Sequence, residues 1–144
     1  MRVMVLVKST PNSETGQMPD AELLTAMGRY NDDLIAAGVM VGGDGLHPSS
    51  AGARLRFNGA EIDEQRGPFA IDSGLVAGYW LWEVASMDEA VAWARRCPHP
   101  MPGETAELEL RRVFTQEDFA EVLTDEHKEQ WDRQQAALDA KAEG

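Results

Sequence analysis

Tyr79, Trp80, Leu81 and Trp82 follow one another with no small or charged residue between them. In a strand, successive side chains point to opposite faces. Trp80 and Trp82 therefore leave one face of the sheet, and Tyr79 and Leu81 the other. Both faces must be covered there. Fully burying one such side chain contributes roughly 1.5–3 kcal/mol, so leaving either pair wet would forgo several. The surrounding run, Leu75 to Val84, reads as a strand, and Val3 to Val7 is a second continuous apolar run of strand length. Any fold for this chain must place both strands deep in a sheet.

The rest of the chain supplies the partners. Residues 9–19 are polar and carry Pro11, Gly16 and Pro19, which reads as a loop. Asp20 can cap a helix, and Leu23, Met27, Tyr30 and Leu34 recur at helical spacing until Gly38. Val39 to Val41 begins another strand, and Gly42-Gly43-Asp44-Gly45 predicts a bend or bulge. Ala53–Phe57 and Ala60–Glu64 flank Asn58-Gly59, a strong hairpin signal. Ser86 and Glu89 have capping-box spacing ahead of a helix burying Ala90, Trp93, Ala94 and Cys97, which Pro98 stops. Residues 98–105 form a Pro/Gly loop, and Leu108 and Leu110 then alternate with Glu107, Glu109 and Arg111 in a last strand. Gln116–Val122 reads as a short helix and Leu123–Lys141 as a charged one with a thin apolar stripe.

The order β-α-β, hairpin, β-α-β predicts an α+β fold. It fits a ferredoxin-like split βαβ sheet with two helices on one face, followed by a C-terminal helical extension. The expected domains are 1–115 and 116–144. Two helices cover one face only, so the apolar residues of the other face predict a homodimer with sheets facing one another. The alternative is that the acidic tail folds back over that face.

Charge and composition narrow the partners. The net charge is −12 over 144 residues, and residues 116–144 hold nine acids and three bases. Phosphate binding needs clustered Lys and Arg, so nucleic acid is not expected. One cysteine excludes an internal disulfide, and three scattered histidines predict no metal site. The apolar run at the N-terminus is too short for a signal-peptide core or a membrane span, which points to a cytoplasmic protein. No cofactor is expected; Gly42-Gly43-Asp44-Gly45 lacks the Lys-Ser/Thr of a phosphate loop.

Candidate site residues fall into three groups. Asp44 and His47 share the Gly-rich bend and can form a proton-transfer pair, or else an Asx-turn beside a solvated histidine. Arg66 and Asp72 flank Gly67-Pro68-Phe69, where an Arg can hold a ligand carboxylate or fix the corner by a local salt bridge. Glu109 and Arg111 share a strand face and can orient a polar ligand or form an ion pair. Trp80, Trp82 and Trp93 can stack on an aromatic ligand or serve as core. Cys97 near His99 reads as a small buried hydrophobe rather than a nucleophile.

MGRYNDDLIAAGVMVGGDGLHPSSAGARLRF, GPFA, LVAGYWLWEVASMDEAVAWARRCPHP and ELELRRVFTQEDF together resemble the YCII-related proteins. They resemble most the branch named for a DGPF or DGPFAETKE motif. The likeness spans about residues 1–119. It implies a dimeric α+β barrel of two facing ferredoxin-like sheets with a cleft per subunit, and a small polar or aromatic molecule is the expected occupant of that barrel cleft. Some relatives use a His–Asp pair as general acid and base, and one eliminates chloride from an aromatic ring. Others accompany extracytoplasmic-function sigma factors, which implies a non-catalytic regulatory role as the alternative. This chain departs from the dyad pattern. The helix Asp20–Ala37 has no histidine, Cys97-Pro98-His99 stands in place of Asp-Pro-Tyr, Arg66 replaces the motif Asp, and Ile71-Asp72-Ser73-Gly74 replaces Glu-Thr-Lys-Glu. The family's proton-transfer pair is therefore not carried over.

Overall fold

The computed structural model describes all 144 residues. Its elements are β1 (Arg2–Lys8), α1 (Pro11–Glu14), α2 (Ala21–Ala36), β2 (Met40–Gly45), β3 (Ala53–Asn58), β4 (Glu61–Arg66), β5 (Val76–Glu83), α3 (Met87–Ala94), β6 (Leu108–Arg112) and α4 (Asp125–Glu143). Four strands form one sheet in the order β2-β5-β1-β6, and every neighbouring pair is antiparallel. With the β3–β4 hairpin set aside, β1-α2-β2-β5-α3-β6 is the ferredoxin-like α+β fold. The hairpin forms its own two-stranded sheet between β2 and β5 in the sequence.

The doubly apolar strands take the centre. β1 pairs with both β5 and β6, and β5 with both β1 and β2. Val3 and Val5 of β1 lie opposite Trp82 and Trp80 of β5, and these four side chains are buried. They pack with Tyr30 and Leu34 of α2 and Ala90 of α3, so both helices lie on this face. The Tyr30 hydroxyl donates to the Trp93 carbonyl at 2.7 Å, tying α2 to the end of α3, and burial pushes its pKa up. Trp82 is fully buried, yet its Nε1 finds no acceptor. The core takes volume from this residue, not a hydrogen bond. On the opposite face Met4, Leu6, Tyr79 and Leu81 remain half-buried.

Several local expectations need correction. The bend or bulge expected of the Gly-rich segment is a bulge between Met40 and Gly42, but the strand does not stop at Val41: β2 continues to Gly45. Pairing with β5 supplies the hydrogen bonds that glycine's low strand preference does not. Residues 9–19 are not all loop, because Thr10 caps the one-turn helix α1 through Ser13, with Pro11 at its first position. Ser86 does cap α3 by accepting from Glu89 N–H, but the Glu89 carboxylate accepts from Ala85 rather than from Ser86. α3 ends at Ala94, before Cys97, and only Glu117–Phe119 of the expected 116–122 helix is helical, as one 3-10 turn flanked by non-helical turns.

The base of the hairpin is fixed by the Gly67-Pro68-Phe69 corner. Gly67 N–H donates to the Gly52 carbonyl at 2.9 Å, and Phe69 N–H donates to Ser49 Oγ at 2.9 Å. Ser49 in turn gives its hydroxyl and its backbone N–H to the Glu14 carboxylate of α1. The Arg54 guanidinium stacks 4.0 Å above the Phe69 ring. Above this base both strands are exposed on both faces, including Leu55, Phe57 and Ile62.

The chain falls into two compact units, Met1–Val113 and Phe114–Gly144. In the second, Phe119 packs between Phe114 and Trp131, and Thr124 with His127 forms a capping box at the start of α4.

A Cβ at Gly67 would stand 1.7 Å from the Ser49 carbonyl oxygen. Gly67→Ala should therefore cost about 3 kcal/mol, since backbone on both sides of the clash must move. That loss corresponds to a fall of about 10 °C in Tm by differential scanning calorimetry. Gly59→Ala at the hairpin tip, where φ is +62° but no atom lies within 4 Å, should cost only about 1 kcal/mol.

Candidate functional site

Alternation along β2 and β5 creates a cavity. Trp80 sits opposite Gly43, and Gly78 opposite Gly45. Trp80 faces the helices, so Gly43, Gly45 and Gly78 present bare backbone on that same side. The two positions on β2 differ in how close their neighbours lie. A Cβ at Gly43 would meet the Tyr79 carbonyl oxygen at 2.8 Å, whereas one at Gly45 would meet nothing within 4 Å. The sheet is thus pared down beneath the N-terminal half of α2, leaving a cavity of about 910 Å³. This lies toward the upper end of the ~300–1,000 Å³ usual for small-ligand sites.

Its walls come from sequence-distant segments. α2 contributes Leu23, Met27 and Asn31, and the Asn31 side-chain oxygen accepts from Trp80 Nε1 at 2.9 Å, which fixes the indole. The α1 segment is held in place at both ends. Buried Thr10 donates its hydroxyl to Glu104 at 2.7 Å, the other Glu104 oxygen accepts from Asn12 N–H at 3.3 Å, and Glu14 is bound to Ser49. Glu14, Met101 and Glu104 all line the cavity.

Asp44 and His47 also line it. They do not hydrogen-bond to each other. Asp44 accepts from the Tyr79 hydroxyl at 3.2 Å, and His47 makes no hydrogen bond within the chain. By alternation Asp44 and Tyr79 lean to the side of the sheet away from Trp80, so they border the cavity where it passes the edge strand β2. The Asp44 carboxylate raises the Tyr79 pKa, by its hydrogen bond first and its charge second. Tyr79 is therefore a donor at this rim and a poor proton acceptor.

The other four sequence-derived candidates lie elsewhere. Arg66 pairs with Glu64 at 2.8 Å on the exposed hairpin. Asp72 accepts from Gly74 N–H at 2.7 Å and closes a local turn. Glu109 and Arg111 pair at 3.3 Å on the face opposite the helices, where Lys8 reaches Glu109 at 3.5 Å. Arg111 first and Lys8 second hold the Glu109 carboxyl below its usual range. None of these four lines the cavity. Trp82 and Trp93 are core or core-flanking, while Trp80 is both core and cavity wall. No group of three or more His, Cys, Asp or Glu is arranged to hold a metal ion.

Sequence reasoning missed Thr10, Glu14 and Glu104. Thr10-Pro11 was the available signal, since Ser/Thr followed by Pro is a helix start. The glycine spacing 43, 45 and 78 was a second, meaningful only once β2 and β5 are known to pair.

A model of the YCII-related domain family matches residues 1–114. The chain belongs to the YCII-related domain family. The match ends where the first compact unit ends, within one residue. A search of curated proteins finds no match. No helix is long and apolar enough to cross a membrane.

Cys97 lies outside the cavity, and burial pushes its thiol up to about 11. At pH 8 its thiolate fraction, and hence its alkylation by iodoacetamide, should be about 100-fold below that of a free cysteine. The rate should rise tenfold per pH unit until about pH 11. A plateau near pH 8.5 would show a solvated thiol instead.

Proposed function

We propose that this YCII-related protein binds a small organic molecule in the cavity under α2. The observation that carries this reading is the glycine floor. No side chain rises from Gly43, Gly45 or Gly78, an added Cβ at Gly45 would meet nothing within 4 Å, and the space is walled by Leu23, Met27, Trp80 and Met101. Polar groups at Asn31, Asp44, His47 and Glu104 supply orientation, the usual mix for a ligand site. Proton transfer on the bound molecule is the finer form of this reading and would run through Asp44 and His47. The Gly67-Pro68-Phe69 corner supports placement in the DGPF branch, and the single unpaired Cys97 suits a cytoplasmic setting.

The same reading includes a homodimer. Met4, Leu6, Tyr79 and Leu81 form an apolar strip on the face opposite the helices, beside the Lys8–Glu109–Arg111 ion pairs. A second copy of this face would cover the strip and pair its charged margin. A regulatory or protein-interaction role is the second reading, favoured by the acidic unit Phe114–Gly144, which forms its own small cluster and leaves Val122 and Leu138 exposed. Deleting residues 115–144 should abolish partner capture under that reading and leave ligand binding intact.

Gly45→Leu should fill the cavity and abolish the fluorescence enhancement of Nile red, a neutral probe, while Tm moves by no more than about 3 °C. Unchanged enhancement would remove the cavity from consideration. In sedimentation equilibrium at micromolar concentration the wild type should run as a dimer and Leu81→Arg as a monomer. A monomeric wild type would end the assembly proposal.

A further inference from the structure

The cavity's charge narrows its ligand to one class. Glu14, Asp20, Asp44 and Glu104 line it, and no lysine or arginine does. None of the four carboxylates is in an ion pair; the ion pairs of the chain lie elsewhere. Each is held only by neutral donors. Glu14 accepts from Ser49, Asp20 from Leu23 N–H at 2.8 Å, Asp44 from the Tyr79 hydroxyl, and Glu104 from Thr10 and Asn12. The N-terminus of α2 offers the one opposing field, equivalent to roughly half a positive charge. Asp20 already caps that end.

The remaining wall is apolar and polarizable. Met18, Met27, Met40 and Met101 line the space, four of the seven methionines in the chain. Trp80 adds an aromatic ring. Methionines adapt to varied apolar shapes, and aromatic faces attract cations. We infer that the cavity takes an organic cation: an ammonium-bearing molecule with an aromatic or aliphatic body, its charge toward Glu14 and Glu104 and its body against Met27 and Trp80. This rests on the ligand-site reading above and adds the ligand's class to it. An anionic ligand would meet the carboxylates of Glu14, Asp20 and Glu104 and no lysine or arginine. Each close unit-charge pair changes affinity by about fivefold even at the dielectric of water, and by more where the walls exclude solvent.

Three near-isosteric probes separate the class from the site: 4-phenylbutylammonium, 4-phenylbutanol and 4-phenylbutanoate, titrated calorimetrically into the full chain at pH 7.5 and low salt. The ammonium probe should bind at least tenfold tighter than the alcohol, and the carboxylate weakest. Glu14→Gln and Glu104→Gln should each shrink the ammonium-to-alcohol ratio by about fivefold, with an unchanged far-UV circular dichroism spectrum certifying the fold. Added salt should weaken the ammonium probe alone. Equal or tighter binding of the carboxylate, or a ratio indifferent to both substitutions, overturns the cationic class. The cavity reading would survive that result if Gly45→Leu still abolished binding. If none of the three probes binds, both fall.

Discussion

The packing of Trp80 and Trp82 between the sheet and its two helices is the interaction on which the rest of this structure depends. Trp82 fills the space beneath α2 and α3 completely, and Trp80 closes one side of it through a hydrogen bond to Asn31 and an edge-on contact with Tyr30. Those two indoles set how far the helices stand from the sheet. That separation is larger than small side chains can fill. Where the sheet bears Val3 and Val5 opposite the indoles, the gap closes into core. Where it bears Gly45, beside the bare backbone of Gly43 and Gly78, the gap stays open. Core and cavity are thus one spacing with two different fillings.

The cavity is walled by segments that the sheet does not organise. α1 is one turn long and buries no side chain of its own. A helix this short is not stable alone. It is held by Thr10 and Asn12 on Glu104, and by Glu14 on Ser49. The Ser49 hydroxyl also accepts from Phe69 N–H, so the α1 wall and the hairpin base share one anchor. Carboxylates serve here as hydrogen-bond acceptors for neutral groups, and their uncompensated charge is a by-product of that structural work that the site then carries.

Much of the fold was legible because it rests on local rules. The stripe Leu23, Met27, Tyr30 and Leu34, the Asp20 cap, the Asn58-Gly59 turn and the alternation around Leu108 and Leu110 each declare an element within a few residues. β2 was harder. A glycine run has low strand preference, and only pairing with β5, a partner more than 30 residues away, keeps it in the sheet. The site was least legible. Asp44 and His47 fall on the cavity because the Gly-rich segment bounds it. Arg66, Asp72, Glu109 and Arg111 were judged by charge and local spacing, and no sequence rule told the helix side of the sheet from the other for them. The cavity itself consists of absent side chains at three positions and acids at 14 and 104, which meet only in the folded chain.

The hairpin is anchored hard at one end and free at the other. Gly52, Gly67, Phe69 and Ser49 interlock at its root, while Phe57, Asn58 and Gly59 stand in solvent. A lineage carrying this insertion can lengthen, shorten or recolour its tip with little consequence for the body beneath. It cannot drift at the root without also disturbing α1, which walls the cavity. Variation among relatives should therefore grade along the arm, from near-fixed at its foot to unconstrained at its end.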